Sequence, residues 1–355
     1  MRKIDESLAK LHPDVQRFFE MQVQAYFDVL EQVSKDVDHV DVFDIELLEI
    51  ITKAELPVIE EAKRLEGRLG EDSDEIKAAK LEFRKRVAPW YSQSYFMHRA
   101  MTKPEGYHGD HRTLEDIYNN QSRSKGFGQV LDRRYLDSTL ARAVRGRKDR
   151  MIELLRSLTA GVSDVRIFNI AAGGGRELVE LLPTIETDGL TITCYDFDPN
   201  ALRYSAEQLG MVKRDAVLHF IRGNVLRMPR AVQREVESAA QQHGQAQGDR
   251  KYIGQDIVYS IGLYDYLPDI KLKEIFAAQN LMLNEFGRMV IAFKDCTRYD
   301  KTSYDWGFDW RFVQRNEADI DKLLGDIGVP LDRVTKTREK TGTVIFYEIP
   351  RFGVE

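Results

Sequence analysis

The period of the hydrophobic pattern changes once along this chain, near residue 164, and that change constrains the fold more than any other feature. From about residue 13 to 160 apolar residues recur every three or four positions: Phe18, Phe19, Val23, Tyr26, Phe27 and Leu30, then Leu47, Leu48 and Ile51, later Leu136, Leu140, Val144, Ile152 and Leu155. This spacing puts them on one face of successive amphipathic helices. The Glu-, Lys- and Arg-rich stretch 57–87 reads as a solvated helical pair. From residue 164 onward short β-branched runs take over, at 165–170, 190–195, 216–221, 256–260 and 288–293. Between them lie helical segments at 176–182, 199–209, about 230–241 and 270–283, the second with Pro199 at its first position, and a polar loop at 245–249. Strand–helix alternation implies a parallel, doubly wound sheet. Residues 333–337 and 343–349 flank Gly342 and read as a closing antiparallel hairpin. The expectation is an α/β domain over 161–355 with a mostly parallel, seven-stranded sheet, preceded by an all-helical domain over 1–160.

Composition removes several function classes. Across 355 residues, 58 acids oppose 52 bases, a formal charge of -6, so no global positive field exists to hold nucleic acid. The two cysteines, Cys194 and Cys296, are far apart, and the seven histidines show no HxH or HxxxH spacing, so neither a disulfide framework nor a metal site is expected. No run of about 18 apolar residues is present and the N-terminus opens on charges, which gives a cytoplasmic expectation with no membrane partner. The exposed helical stripes leave a homodimer as an open expectation.

The ends of the strands carry the chemistry. The first runs through Asn169 and Ile170 into Ala171-Ala172-Gly173-Gly174-Gly175 and then a helix. A glycine turn between strand and helix lets backbone approach a ligand and leaves helix N–H groups facing it. A dinucleotide fingerprint would need glycine at 178, where Leu178 stands. The second strand ends Asp196-Phe197-Asp198-Pro199. An acid there can accept both ribose hydroxyls, so Asp196 is assigned to ribose and Asp198 to capping the helix at Pro199. The third strand ends in Gly223-Asn224, with Asn224 placed to meet an adenine edge, and the fourth in Ser260-Ile261-Gly262.

Residues 164–295 resemble the class I S-adenosylmethionine (SAM)-dependent methyltransferase superfamily in this glycine turn, strand-two acid, strand-three polar residue and strand-four segment. The resemblance implies a Rossmann-like fold, SAM as cofactor, and a cofactor set of Asn169, Ala171, Gly173, Gly175, Asp196, Phe197, Gly223, Asn224, Ser260 and Gly262. Asn169 departs from the pattern, since an acid is frequent there. Three further segments occur together: Lys103-Pro104-Glu105-Gly106-Tyr107-His108-Gly109-Asp110, the run 262–269, and Asp309-Trp310-Arg311 followed by Arg315-Asn316-Glu317. In these the chain is similar to a bacterial family for biosynthesis of an extracellular factor, 3-hydroxypalmitic acid methyl ester. That resemblance implies O-methylation of a small carboxylic acid. N- or O-methylation of another metabolite, and a non-catalytic SAM-binding scaffold, stay open as alternatives. An Asn/Asp-Pro-Pro-aromatic run, usual after strand four in nucleic-acid methyltransferases, is replaced by Ser260-Ile261-Gly262-Leu263.

A carboxylate is already a nucleophile, so its methylation needs orienting cations more than a base. Arg99, Lys103, Arg145, Arg311 and Arg315 are the cation candidates, with Trp310 beside them as substrate-binding. Tyr107, Tyr264 and Tyr266 supply candidate aromatic faces or hydroxyls, and His108 is the candidate base for a hydroxyl or amine acceptor. The loop 103–110 is expected to close the acceptor pocket as a lid.

Overall fold

The computed structural model describes residues 8–37, 45–186, 189–212, 215–241 and 250–353. The polar loop expected at 245–249 lies outside them. The described residues cluster into two compact units. A helical unit takes its residues from Met1–Gly109, Asn119–Ala141 and Asp300–Arg311, and a sheet unit from Asp110–Tyr118, Arg142–Tyr299 and Phe312–Glu355.

The helical elements are α1 (Pro13–Phe18), α2 (Gln24–Val37), α3 (Ile45–Leu69), α4 (Asp74–Tyr91), α5 (Tyr95–Thr102), α6 (His111–Asn119), α7 (Phe127–Leu136) and α8 (Thr139–Thr159). The periodic apolar residues do face inward, since Phe18, Val23, Tyr26, Leu30, Ile51 and Leu136 are all buried. The charged stretch is a helical pair as expected, but α3 and α4 each bury a stripe (Val58, Ala62 and Leu65; Ile76, Phe83 and Val87) and solvate the remainder. Ser73 caps α4 by accepting the Ile76 amide at 3.2 Å. The helical unit also buries a cation: Lys80 Nζ lies 2.7 Å from Glu66 and 2.6 Å from Asp305, with no side-chain exposure. Two carboxylates on one ammonium offset its desolvation.

In the sheet unit the strands are β1 (Arg166–Ile170), β2 (Thr191–Asp196), β3 (Val217–Arg222), β4 (Gln255–Ser260), β5 (Leu283–Lys294), β6 (Thr335–Arg338) and β7 (Val344–Pro350). They form one seven-stranded sheet in the order β3-β2-β1-β4-β5-β7-β6. The first five are parallel, while β7 runs antiparallel to β5 and to β6. Between them come α9 (Arg176–Leu181), α10 (Pro199–Val212), α11 (Met228–Gln241), α12 (Asp269–Met282) and α14 (Glu317–Gly325), while α13 (Thr302–Phe308), which lies between β5 and α14 in the chain, belongs to the helical unit. This is the class I methyltransferase sheet. Strand residues alternate between its two faces. Phe168, Ile170, Val258, Ile291 and Tyr347 pack with α11, α12 and α14, whereas Ile167, Ile192, Tyr259, Val290 and Phe346 pack with α8, α9 and α10. Strand β5 begins at Leu283, five residues before the expected start. Its first stretch reaches Gln255 across a register shift, and Gly287 permits this because a Cβ there would meet the Gln255 carbonyl at 2.8 Å.

Candidate active site

Strand order reverses beside β1, which has β2 on one side and β4 on the other, and the crevice at the carboxyl ends of such a pair is where open α/β sheets bind ligands. The turn leaving β1 has a left-handed backbone at Ala171 (φ 54°), Gly173 (φ 54°) and Gly175 (φ 64°). At Ala171, which has a Cβ, this conformation costs about 1–2 kcal/mol. A Cβ added to Gly173 would meet nothing within 4 Å, so the turn presents open backbone there, while one on Gly174 would sit 3.0 Å from Glu115 and 3.2 Å from the Tyr204 ring.

Asp196, at the end of β2, is buried. Its Oδ2 accepts the Gly173 amide at 2.8 Å and its Oδ1 the Asp198 amide at 2.9 Å. A carboxylate has about four acceptor positions, so beside its backbone amides Asp196 keeps acceptor capacity for a ligand hydroxyl. Burial pushes the Asp196 pKa up, and the amide bonds oppose that. Asp198 caps α10 by accepting the Asn200 amide at 2.8 Å. Phe197, between the two acids, is 54% exposed, and Leu226, just past β3, is 45% exposed. At the end of β3, Gly223 admits the Tyr195 phenol so closely that a Cβ would lie 2.3 Å from its oxygen. Asn224 spends its Oδ1 on the Leu226 amide at 2.9 Å and keeps its amide N–H groups. Ser260 is fully buried at the end of β4.

Asn169 is not a lone polar residue in the core. Its Nδ2 donates to Glu177 Oε1 at 2.9 Å, and the Tyr259 hydroxyl donates to the same oxygen at 2.8 Å. A buried carboxylate thus reaches the end of β1 from α9, although β1 itself offers an amide. Burial raises the Glu177 pKa.

The first eight residues of α6 belong to the sheet unit and run along this crevice. Asp110 caps the helix, accepting the amides of Arg112 at 3.0 Å and Thr113 at 3.1 Å. His111 Nδ1 is buried without a hydrogen bond, 3.8 Å from Asp198. Glu115 receives Arg176 at 2.7 Å. Sequence reasoning missed this helix.

It also missed two cations. Arg147, on α8, is buried, and a Cβ on Gly262 would lie 3.1 Å from its Nη2. Lys294, the last residue of β5, is buried with its Nζ 2.5 Å from Asp265 Oδ2 and 4.3 Å from the Phe312 ring centre. Burial lowers its pKa, Asp265 opposes that, and the Arg147 charge adds to the lowering. A signal for Arg147 exists: it stands three residues after Val144 and four before Met151, both buried, hence on the apolar face of α8. Arg145 is two positions off that phase and only half-buried.

A family model described as "Putative methyltransferase" matches residues 58–233, across the glycine turn, Asp196 and Asn224. That match takes in just under half of the chain. Among solved structures, one from Bordetella parapertussis, described as a possible exported protein, is similar over 94% of this chain and 97% of its own at 14% identity, with a TM-score of 0.54. The CurJ carbon methyltransferase aligns over 98% and 96% at 12% identity (TM-score 0.49). The magnesium protoporphyrin IX methyltransferase of Synechocystis PCC 6803, solved with bound SAM, aligns over 60% and 84% at 13% identity (TM-score 0.41). No curated protein matches the chain. The crevice fits SAM on its own terms. It has open backbone at Gly173, free acceptor positions on Asp196, and exposed apolar side chains at Phe197 and Leu226 for the flat adenine.

Of the remaining candidates the sheet unit holds Tyr264, Tyr266, Arg145 and Arg315. Tyr264 is fully buried, its hydroxyl 2.5 Å from Gln279 Nε2 and its ring against Phe276 and Phe293. Tyr266 is 37% exposed, 5.4 Å from Phe312 and 5.8 Å from the Lys294 ammonium. Arg315 braces the same segment through Asp269 at 2.6 Å and the Leu267 carbonyl at 2.6 Å.

The helical unit holds Arg99, Lys103, Tyr107, His108, Trp310 and Arg311. Arg99 lies over the Tyr95 ring at 5.7 Å, and Lys103 is 3.3 Å from Asp309. Arg311 donates to Asp305 at 2.9 Å, and Tyr107 is half-buried in the loop. His108 stacks on Trp310 at 4.7 Å with its Nε2 3.1 Å from the Phe308 carbonyl. Burial, helped by the Lys103 charge, pushes its pKa down to about 4. Among the described residues no group of His, Cys, Asp or Glu is placed to hold a metal, and no helix is long and apolar enough to cross a membrane.

Proposed function

We propose that this chain is a SAM-dependent methyltransferase that esterifies a small carboxylic acid, a hydroxy or fatty acid. The observation that carries this reading is the Lys294 ammonium at the carboxyl end of β5, held by one carboxylate and flanked by Phe312 and the part-exposed Tyr266. The described histidines of the sheet unit, His111 and His219, belong to the β2–β3 side: His111 lies beside Asp198 and His219 sits on β3. Among the described residues of the sheet unit, the β4–β5 side therefore offers a cation and aromatic faces and no imidazole. An acceptor that needs no deprotonation fits such a site best. The three segments resembling the 3-hydroxypalmitic acid methyl ester family point the same way.

Bound SAM supplies a methyl group already activated by its sulfonium. The chain's residues then have three tasks. Asp196 would hold the ribose hydroxyls, Phe197 and Leu226 would flank the adenine, and the open backbone at Gly173 would leave room for the cofactor beside the turn. Lys294 would hold and orient the acceptor carboxylate at the carboxyl end of β5. Phe312 and Tyr266 keep water from that approach, which strengthens the ammonium–carboxylate attraction. With a carboxylate as acceptor, the methyl that SAM would supply could pass to oxygen, its sulfur keeping the C–S electron pair, without any residue of the chain having to accept a proton. On this reading the acceptor needs no base, so the chemistry does not call on His108.

The test uses methyl-labelled SAM with a panel of hydroxy and fatty acids. Label that moves to an acid and is released as methanol by mild alkali identifies a methyl ester. Label in an alkali-stable product refutes the ester reading.

A further inference from the structure

Residues 222–234 carry four arginines and no acid, in a chain whose acids outnumber its bases by 58 to 52. Arg222 ends β3, Arg227 closes the short 3-10 turn Val225–Arg227, and Arg230 and Arg234 lie on α11. All four are exposed. Among the described residues, Arg227, Arg230 and Arg234 have neither a carboxylate nor a side-chain hydrogen bond. The two acids of α11 are engaged elsewhere. Glu235 accepts the amides of Tyr252 and Ile253 at 3.0 and 3.1 Å, and Glu237 the Gln233 side-chain amide at 2.9 Å. Other surface guanidiniums find carboxylates: Arg68 has Glu61, Arg133 has Asp137, Arg176 has Glu115 and Arg338 has Asp295. The α11 stripe is thus a local positive field that no described residue neutralises, although acid is in surplus.

The shape of this surface narrows what it fits. Arg227, Arg230 and Arg234 stand at i, i+3 and i+7, on one stripe, while Met228 and Val232 turn into the core. At 1.5 Å per residue the stripe is about 10 Å long. Arg230 and Arg234 form one wall of a groove of about 570 Å³ between α11 and α12, lined also by Gln233, Glu237, Lys271 and Glu274. Lys271 and Glu274 pair with each other at 2.9 Å, so the two free guanidiniums set the sign of the groove. Both helices start past the carboxyl ends of their strands, β3 and β4, and bring their positive ends to the same side of the sheet. A nucleic acid duplex needs a continuous positive track, which Glu237 and Glu274 interrupt. A bilayer surface needs large apolar side chains among the cations, and the lining has none. A helix laid along the groove meets both conditions. It presents carboxylates at the same three- and four-residue spacing as the arginines, and a base beyond them can face Glu237.

We propose that the α11–α12 groove docks an acidic helix of a partner protein, through ion pairs to Arg227, Arg230 and Arg234. The contacts are few and exposed, so the complex is transient and weakened by salt. None of these side chains belongs to the cofactor or acceptor set, and the inference stands whatever acid is methylated.

The probe is a fluorescein-labelled peptide of about 20 residues, with Glu at three- and four-residue spacing on an alanine background, long enough to hold a helix. Fluorescence anisotropy with the full chain at about 50 mM salt is expected to give a Kd in the micromolar range, weakening as salt is raised. Arg230→Glu combined with Arg234→Glu is expected to weaken binding at least about tenfold. These side chains are solvated, so the melting temperature of that variant should stay within about 2 °C of the wild type. Lys35→Glu combined with Lys53→Glu makes the same change of net charge at exposed positions on α2 and α3. It is expected to alter binding by less than about twofold. No binding of the peptide, or equal weakening by the two double variants, would overturn the proposal. Tighter binding of duplex DNA or of phosphatidylserine vesicles, with the same dependence on Arg230 and Arg234, would make the groove a phosphate surface and overturn it as well.

Discussion

Asp265→Asn isolates the buried ion pair at the end of β5. Asp265 accepts the Lys294 ammonium at 2.5 Å through Oδ2 and the Lys294 backbone N–H at 3.0 Å through Oδ1, and both residues are about 95% buried. An asparagine keeps the shape and can still accept the backbone N–H, but it removes the charge and turns an N–H group toward the ammonium. Removing one partner of a buried pair costs about 3–5 kcal/mol. The loss has a ceiling, because Lys294 can shed its proton: neutralising a lysine of ordinary pKa about 10.4 at pH 7 costs about 4.6 kcal/mol. In the variant the folded state would then carry a neutral lysine and the unfolded state a charged one. The unfolded state binds the extra proton, so stability rises with pH, by up to about 1.4 kcal/mol per unit, until pH nears 10. Urea unfolding at pH 7, 8 and 9 is the assay. The expected result is a deficit of about 3–5 kcal/mol at pH 7, roughly 6–20 °C in Tm for a unit of roughly 200 residues, shrinking as pH rises. A deficit under about 1 kcal/mol at pH 7, or one that grows with pH, would refute a buried ion pair here.

Other expectations follow from single contacts. Asp196→Ala should cut S-adenosylhomocysteine affinity by at least about tenfold by calorimetry, since it removes a charged acceptor of two hydroxyls, and an unchanged Kd would detach Asp196 from the ribose. Gly173→Ala places a Cβ in open space at φ 54°, so it should cost about 1 kcal/mol of stability, and its larger effect should be on cofactor affinity; loss of stability alone would contradict the open-backbone role. His108, held near pKa 4 by burial, should titrate well below the ordinary 6.5 in an NMR pH series. Its folded pKa is depressed, so its contribution to stability is complete above about pH 6.5 and lost as pH falls toward 4. A midpoint near 6.5 would mean the Trp310–Phe308 packing does not hold in solution.

Much of this protein is legible in the one-dimensional pattern because secondary-structure period and strand-end chemistry are local properties. The change of period at residue 164, the glycine turn, Asp196 after β2 and the hairpin around Gly342 each depend on a few neighbouring residues, and each falls in the structure within a few positions of its expected place. Local patterns also placed Asp198 as the cap of α10, because a short acid before an N-terminal proline has little else to do. What they could not supply is which distant residues share a space. Asn169 reads as a departure until Glu177 and Tyr259 are seen bonded around it. Arg145 and Arg147 read alike as members of a basic run, and only packing shows that one is half-buried while the other is buried without an anion. Asp265 and Lys294 are 29 residues apart and meet only because β5 lies beside β4. The physical reason is the same in each case. The energy of a buried charge depends on its partners and on the water it has lost, and both are set by the tertiary arrangement rather than by neighbours along the chain.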